Sequence, residues 1–102
     1  MKDIVFLGDS RDRLREFPER VRRQAGMELR RVQSGLEPSD WKPMKSVGMS
    51  VREIRIRDRA GAFRVLYLAT DVIFILHAFQ KKTRATAKRD LDLAALRLAL
   101  LR

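Results

Sequence analysis

The sequence has 102 residues, 45% hydrophobic and 35% charged, so we expect one folded domain over residues 1–102 rather than a disordered chain. It has no cysteine and one histidine, which excludes a disulfide framework and a thiol nucleophile and leaves too few ligands for zinc, so neither a metal nor another cofactor is expected. Lysine and arginine number 23 against 13 acidic residues, and this net charge of +10 favours an anionic partner over a basic surface kept for solubility.

The N-terminal third predicts a strand followed by two helices. Residues 1–7 form the strand, and their apolar run is too short for the core of a signal peptide. Asp9 or Ser10 can cap a short helix over residues 11–17, and Pro18 suits the first turn of a second helix over residues 19–34. The apolar stripe of that second helix consists of Val21, Ala25, Leu29, Val32 and Leu36.

The middle of the chain predicts a loop and then mainly strands. A loop is expected over residues 37–43 and a short strand over residues 44–47. Residues 51–58 alternate, with apolar and charged side chains on opposite faces. Residues 63–70 are apolar on both faces except at Arg64, which predicts a central strand, and residues 72–79 form the most apolar strand.

The C-terminal part predicts a basic loop over residues 80–84 and a last helix, capped by Thr83 or Thr86. One face of that helix should pack on the protein, while Leu93, Leu96 and Leu100 either meet a partner or belong to a fraying end. The element order predicts an α+β fold in which two helices cover one face of a sheet. Since no run approaches the roughly 20 apolar residues of a membrane helix, we expect a cytoplasmic protein with no membrane partner.

Charged side chains in the middle of predicted strands are candidates for binding an anion, because burying an unpaired charge is costly. Arg55 and Arg57 project together from one strand, either towards a ligand or as a solvated face. Arg64 is the lone charge of its strand, so it meets an anionic ligand or pairs with Glu53.

His77, Lys81 and Lys82 end the last strand and complete the set of candidates. The histidine either transfers protons or is a hydrogen-bonded core residue. The lysines either contact phosphate or maintain solubility. Metal-free RNA cleavage fits this inventory: the 2′-hydroxyl attacks the adjacent phosphate, cations stabilise the anionic phosphorus, and a lysine with a lowered pKa can act as the base.

Four segments together resemble the phage-associated HigB branch of the RelE-like toxins over nearly the whole chain. They are residues 41–45 (WKPMK), 51–55 (VREIR), 63–67 (FRVLY) and 76–83 (LHAFQKKT). The resemblance implies a RelE-like fold, an antiparallel-rich sheet covered by two N-terminal helices with a C-terminal helix. It also implies an endonuclease that cleaves mRNA in the A site of the 70S ribosome, inhibits translation and arrests growth. A cognate antitoxin, commonly a helix-turn-helix DNA-binding protein, is the implied partner.

The resemblance also implies roles for particular residues. Arg64 matches the arginine that stabilises the scissile phosphate, Arg55 is a basic strand residue, and Lys82 is the basic residue after the last strand; His77 is our candidate for the remaining proton step. The residues expected to contact RNA are Arg57, Lys81, Arg84 and Lys45.

One departure and one alternative remain. Some RelE-like toxins carry a base-stacking tyrosine near the start of the last helix, whereas residues 83–88 here contain no aromatic side chain, and Tyr67 lies on the strand face opposite Arg64. Base stacking is therefore absent or falls to Phe79 or His77. The same fold serves ParE-like toxins, which inhibit DNA gyrase without cleaving RNA, so the fold alone does not decide the function.

Overall fold

The computed structural model describes residues 1–101 as an α+β fold, with a five-stranded mixed sheet and three helices. In chain order the elements are β1 (Asp3–Phe6), α1 (Ser10–Arg15), α2 (Glu19–Gln33), β2 (Trp41–Pro43), β3 (Val51–Asp58), β4 (Gly61–Ala69), β5 (Val72–Lys81) and α3 (Lys88–Ala99). The strand order is β1-β5-β4-β3-β2, with β1 parallel to β5 and the other pairs antiparallel. The predicted central position of the strand that carries Arg64 is confirmed.

Two apolar clusters cover the two faces of the sheet. On one face, the stripe of α2 packs with α1 against β3, β4 and β5, and Tyr67 lies in this cluster as its strand position predicts. Leu36, the last residue of the predicted stripe, lies beyond the helix and is exposed. On the other face, Ala94 and Leu98 of α3 pack on Leu66 and Leu76. The sheet therefore has helices on both faces, and only part of the α3 face is covered.

The short strand predicted over residues 44–47 is wrong. The strand lies at Trp41–Pro43, where Trp41 is opposite Ile54 and the guanidinium carbon of Arg52 is 4.1 Å from the centre of the indole ring. Residues 44–47 instead form a turn, in which Val47 N donates to Met44 O at 3.0 Å. Proline is compatible with this outer strand because an edge strand leaves one side of its backbone unpaired.

Helix α3 is held to the N-terminal part of the protein by Arg97. Its Nη1 donates to Leu76 O at 2.9 Å, and its Nη2 donates to the carboxylate of Asp9. Gly8 adopts a φ of 55°, and a Cβ there would collide with this guanidinium, so glycine suits the turn on both counts.

The predicted threonine caps of α3 are wrong. The N-cap residue is Ala87, which has no side-chain hydrogen bond, and the hydroxyl of Thr83 donates to Ala85 O instead. Leu96 and Leu100 lie on the exposed side of the helix. Among residues 1–101, none of the helices combines the length and apolar character that crossing a membrane requires.

Candidate functional site

Four basic side chains share one face of the sheet, on the α3 side and at the end where β3 turns into β4. The strand register places Arg55 opposite Arg64, and Ala62 lies between Arg57 and Lys81 on the neighbouring strands. We call Arg55, Arg57, Arg64 and Lys81 the cationic cluster. A cleft of about 330 Å³ lies here, and its lining includes three of the four cations together with Asp58 and Thr83. The cluster brings together four residues that the sequence singled out.

Arg64 is almost completely buried in this cluster. Its side chain is 4% exposed, and its Nη1 donates to Phe63 O at 3.0 Å. Its Nε lies 3.3 Å from Glu53 Oε1, but neither atom makes an aligned hydrogen bond, so this contact is an ion pair held by charge. Within residues 1–101, Nη2 makes no hydrogen bond either. Arg64 therefore pairs with Glu53 and still has donors available for a second anion.

The electrostatics of the cluster favour an added anion. Burial lowers the pKa of Arg64, the charge of Glu53 opposes this effect, and the charges of Arg55 and Arg57 lower the pKa further. A guanidinium remains protonated even so, and the cluster therefore retains uncompensated positive charge. The Nε of Arg55 is also buried without a hydrogen-bond partner among the described residues. Within the described residues, the positive charge of the cluster thus exceeds the negative charge that Glu53 supplies to Arg64.

The surroundings of Lys81 lower its pKa. Partial burial lowers its pKa, the charges of Arg64, Lys42 and Arg55 act in the same direction, and Glu53 opposes them. A lysine whose neighbours disfavour its charged form holds a larger neutral fraction near physiological pH. The side chain lines the same cleft as Arg64.

Three other basic residues with sequence-predicted roles lie away from the cluster. Lys82 is exposed and lines a different groove, of about 700 Å³, at the outer edge of β5. The strand β5 ends at Lys81, which pairs with Ala62 on the face that carries Arg64, and Lys82 lies beyond the strand. Arg84 is exposed in the following loop, and Lys45 lies in the turn at the Val51 end of β3, remote from Arg57. Of the two adjacent lysines, only Lys81 is placed to act with Arg64.

His77 is a core residue. It is 1% exposed, its ring stacks on Phe79 with centroids 5.0 Å apart, and its Nε2 lies 2.8 Å from Asp90 Oδ1. With Nε2 protonated, the ring donates to the aspartate and ties α3 to the sheet, while the buried Nδ1 has no partner among the described residues. Both side chains are more than nine-tenths buried, and both line the groove of about 700 Å³ rather than the cleft of the cationic cluster. This geometry favours the interpretation of His77 as a hydrogen-bonded core residue.

Replacing His77 with alanine is expected to lower the free energy of unfolding by about 2–5 kcal/mol, because a buried ring is lost and Asp90 loses its partner. For a domain of this size the melting temperature falls by about 4–8 °C per kcal/mol. Thermal unfolding followed by circular dichroism measures this loss. A variant with unchanged melting temperature but a changed pH profile of activity would instead restore the proton-transfer role.

The same histidine makes stability depend on pH. Burial lowers the pKa of His77 below its usual 6.5, although Asp90 opposes the shift. The unfolded chain therefore binds a proton near pH 6.5 that the folded protein rejects. The stabilisation is complete above this pH and is lost as the pH falls from about 6.5 towards the lowered value. Urea unfolding on both sides of this window should show the loss in the unchanged protein and not in the alanine variant.

Two residues contact Glu53 beside the cluster, and the sequence-based prediction did not identify them as part of the site. Lys42 Nζ lies 3.9 Å from Glu53 Oε1, directly across the β2–β3 pair, but its segment was predicted to be a loop. Thr86 was predicted as a helix cap, whereas its hydroxyl donates to Glu53 Oε2 at 3.5 Å. Both contacts depend on the tertiary position of Glu53, for which local sequence offers no signal.

Comparison with known proteins identifies a family. The sequence profile of the phage-derived Gp49-like proteins (DUF891) matches residues 12–99. No curated protein matches the chain. The matched range runs from within α1 to the end of α3 and includes the whole cationic cluster together with Glu53.

Proposed function

The chain belongs to the Gp49-like family of phage-derived proteins, and from this premise we propose that it is the toxin of a type II toxin–antitoxin pair that cleaves mRNA. The observation that carries the proposal is the cationic cluster, in which Arg57, Arg64 and Lys81 line one cleft and Arg55 lies opposite Arg64 on the neighbouring strand. A phosphate group would supply the negative charge and the hydrogen-bond acceptors that suit such a cleft. A phage-derived family also agrees with the phage-associated HigB branch that the motifs resemble.

In the proposed reaction, neutral Lys81 takes the proton of a ribose 2′-hydroxyl. The 2′-oxygen bonds to the adjacent phosphorus, the bond from phosphorus to the 5′-oxygen breaks, and the leaving oxygen is protonated from solvent. The products are a 2′,3′-cyclic phosphate and a 5′-hydroxyl. Arg64 stabilises the negative charge that develops on the phosphate, and Arg55 and Arg57 hold the flanking backbone.

The side chains that line the cleft support dependence on the ribosome. Its lining within the described residues contains no aromatic side chain on which a base could stack. The protein alone therefore has few contacts with which to hold a single RNA strand in line for attack, and the ribosome would supply that positioning. An antitoxin with an acidic segment is the proposed inhibitor, because opposite charge accelerates association with a basic surface. The exposed Leu96 and Leu100 offer it an apolar contact on α3.

Induced expression in bacteria is expected to arrest growth and fragment mRNA, and co-expression of the cognate antitoxin is expected to relieve both effects. The decisive measurement compares purified protein on naked RNA with protein on translating ribosomes, with the 5′-hydroxyl ends mapped by sequencing. We expect cleavage mainly on ribosomes. Growth and mRNA that stay intact under strong induction would exclude the proposed function. Altered plasmid supercoiling without RNA cleavage would select the gyrase-inhibiting alternative.

A further inference from the structure

A buried carboxylate lies at one end of the cationic cluster, next to Arg64. The side chain of Glu53 is 0% exposed, on β3 between the edge strand β2 and the central strand β4. Its Oε1 lies 3.3 Å from Arg64 Nε and 3.9 Å from Lys42 Nζ. Its Oε2 accepts from the hydroxyl of Thr86 at 3.5 Å. One carboxylate thus contacts two strands and the segment that leads into α3.

These contacts contribute little to stability, but they restrict where the guanidinium of Arg64 can lie. Burying a carboxylate is expensive, and the attraction in a buried pair compensates only when hydrogen bonds satisfy the remaining atoms. Here Oε1 of Glu53 and Nε of Arg64 are both buried without an aligned hydrogen bond. An ion pair that is close but incompletely satisfied fixes the guanidinium and leaves donors for another acceptor.

We propose that Glu53 is a positioning residue for RNA cleavage, which holds the guanidinium of Arg64 against the phosphate site. This inference rests on the proposed function and assigns Glu53 a role beyond that of a structural ion-pair partner. Through Thr86, the same carboxylate connects the phosphate site to the start of α3. Glu53 acts through Arg64 and has no contact with the reacting atoms.

The charge of Glu53 has a second consequence, for Lys81. The charged groups around Lys81 come from β2, β3 and β4, and they are Lys42, Glu53, Arg55, Arg57, Asp58 and Arg64. Asp58 is paired with Arg20 at 3.3 Å, which leaves Glu53 as the anion that raises the pKa of Lys81 against the surrounding cations. Removing this charge should lower the pKa of Lys81 further.

Two substitutions separate orientation from charge. Glu53→Asp keeps the charge but shortens the side chain, so the cleavage rate at saturating ribosomes should fall by about 100-fold with an unchanged pH profile. Glu53→Gln keeps the length but removes the charge, so the rising limb of the pH profile should move to lower pH. If the glutamine variant fails to fold, the aspartate variant carries the test. A merely structural residue would lower the melting temperature without changing the rate of the folded fraction.

Glu28 provides a matched control. It is also a buried glutamate, but its carboxylate accepts from Ser39 N and Oγ at 3.1 and 3.0 Å and serves the loop after α2. Glu28→Gln should lower stability while the rate per folded molecule and the pH profile stay unchanged. Glu53→Asp and Glu53→Gln variants that are folded and cleave with the rate and profile of the unchanged protein would overturn the inference.

An NMR titration distinguishes this inference from the proposed function. Selective labelling of lysine reports the pKa of Lys81 without any cleavage assay, and we expect a lower value in Glu53→Gln than in the unchanged protein. If the unchanged protein cleaves no RNA, the proposed function fails. If the pKa of Lys81 is the same in both proteins, the effect of the Glu53 charge on Lys81 is refuted, and an unchanged cleavage rate in folded Glu53→Asp refutes the positioning role.

Discussion

Replacing Arg64 with alanine is expected to lower the rate of mRNA cleavage on ribosomes by about 100- to 1000-fold, because a donor aimed at charge that develops in the transition state typically contributes this much. The geometry supports such a role, since the guanidinium lines the cleft with Arg57 and Lys81 and keeps donors unused by the protein. Single-turnover cleavage on stalled ribosomes measures the chemical step directly. The loss should appear in the maximal rate rather than in ribosome affinity.

The alanine variant needs a control for stability, because it leaves Glu53 buried without its partner. Breaking a buried pair costs about 3–5 kcal/mol, a large part of the stability of a small domain. Arg64→Lys keeps a positive charge beside Glu53 and loses only the planar set of donors, so it should remain folded while its rate still falls by about 100-fold. Arg23→Ala, at an exposed arginine on α2, should leave the rate unchanged. A folded Arg64→Lys protein with full activity would refute the assignment.

Much of the fold could be predicted because local patterns and burial agree. The alternation of residues 51–58 correctly placed Arg55 and Arg57 on the face of the sheet away from Ile54 and Ile56. The lone charge of the next strand identified Arg64 as a member of the same charged face. The apolar stripe of α2 was identified for the same reason. These features depend on the repeat of apolar residues every two positions in a strand or every 3.6 positions in a helix, which can be read from the sequence alone.

The remainder depended on contacts between distant segments. Residues 41–43 form a strand because they pair with β3, whereas Pro38 and Pro43 on either side of Trp41 predict a loop. Thr86 does not cap α3, and its hydroxyl instead donates to Glu53, which is 33 residues away in the sequence. Whether His77 performed chemistry or filled the core depended on its burial beneath α3 and its contact with Asp90, which no spacing reveals.

At the end of β5, the resemblance and the strand geometry favour different lysines for the proposed chemistry. The resemblance implied a catalytic role for Lys82, with Lys81 beside it. A strand that continues through Lys81 directs this side chain to the face that carries Arg64 and leaves Lys82 on the exposed rim of another groove. The two adjacent lysines line different clefts, so each provides a control for the other.

Lys81→Met is expected to lower the cleavage rate by about 100- to 10,000-fold, the usual contribution of a general base, whereas Lys82→Met should change it by no more than about threefold. The base must be neutral to accept the 2′-hydroxyl proton, so the rate of the unchanged protein should rise with pH towards the pKa of Lys81, which burial and Arg64 hold below its usual 10.5. The residual rate of Lys81→Met should no longer rise with pH in this way, whereas the rate of Lys82→Met should still rise. Rates measured from about pH 6 to 9 on stalled ribosomes test both points. An inactive Lys82→Met beside an active Lys81→Met would return the role to Lys82 and place the phosphate in the groove at the outer edge of β5.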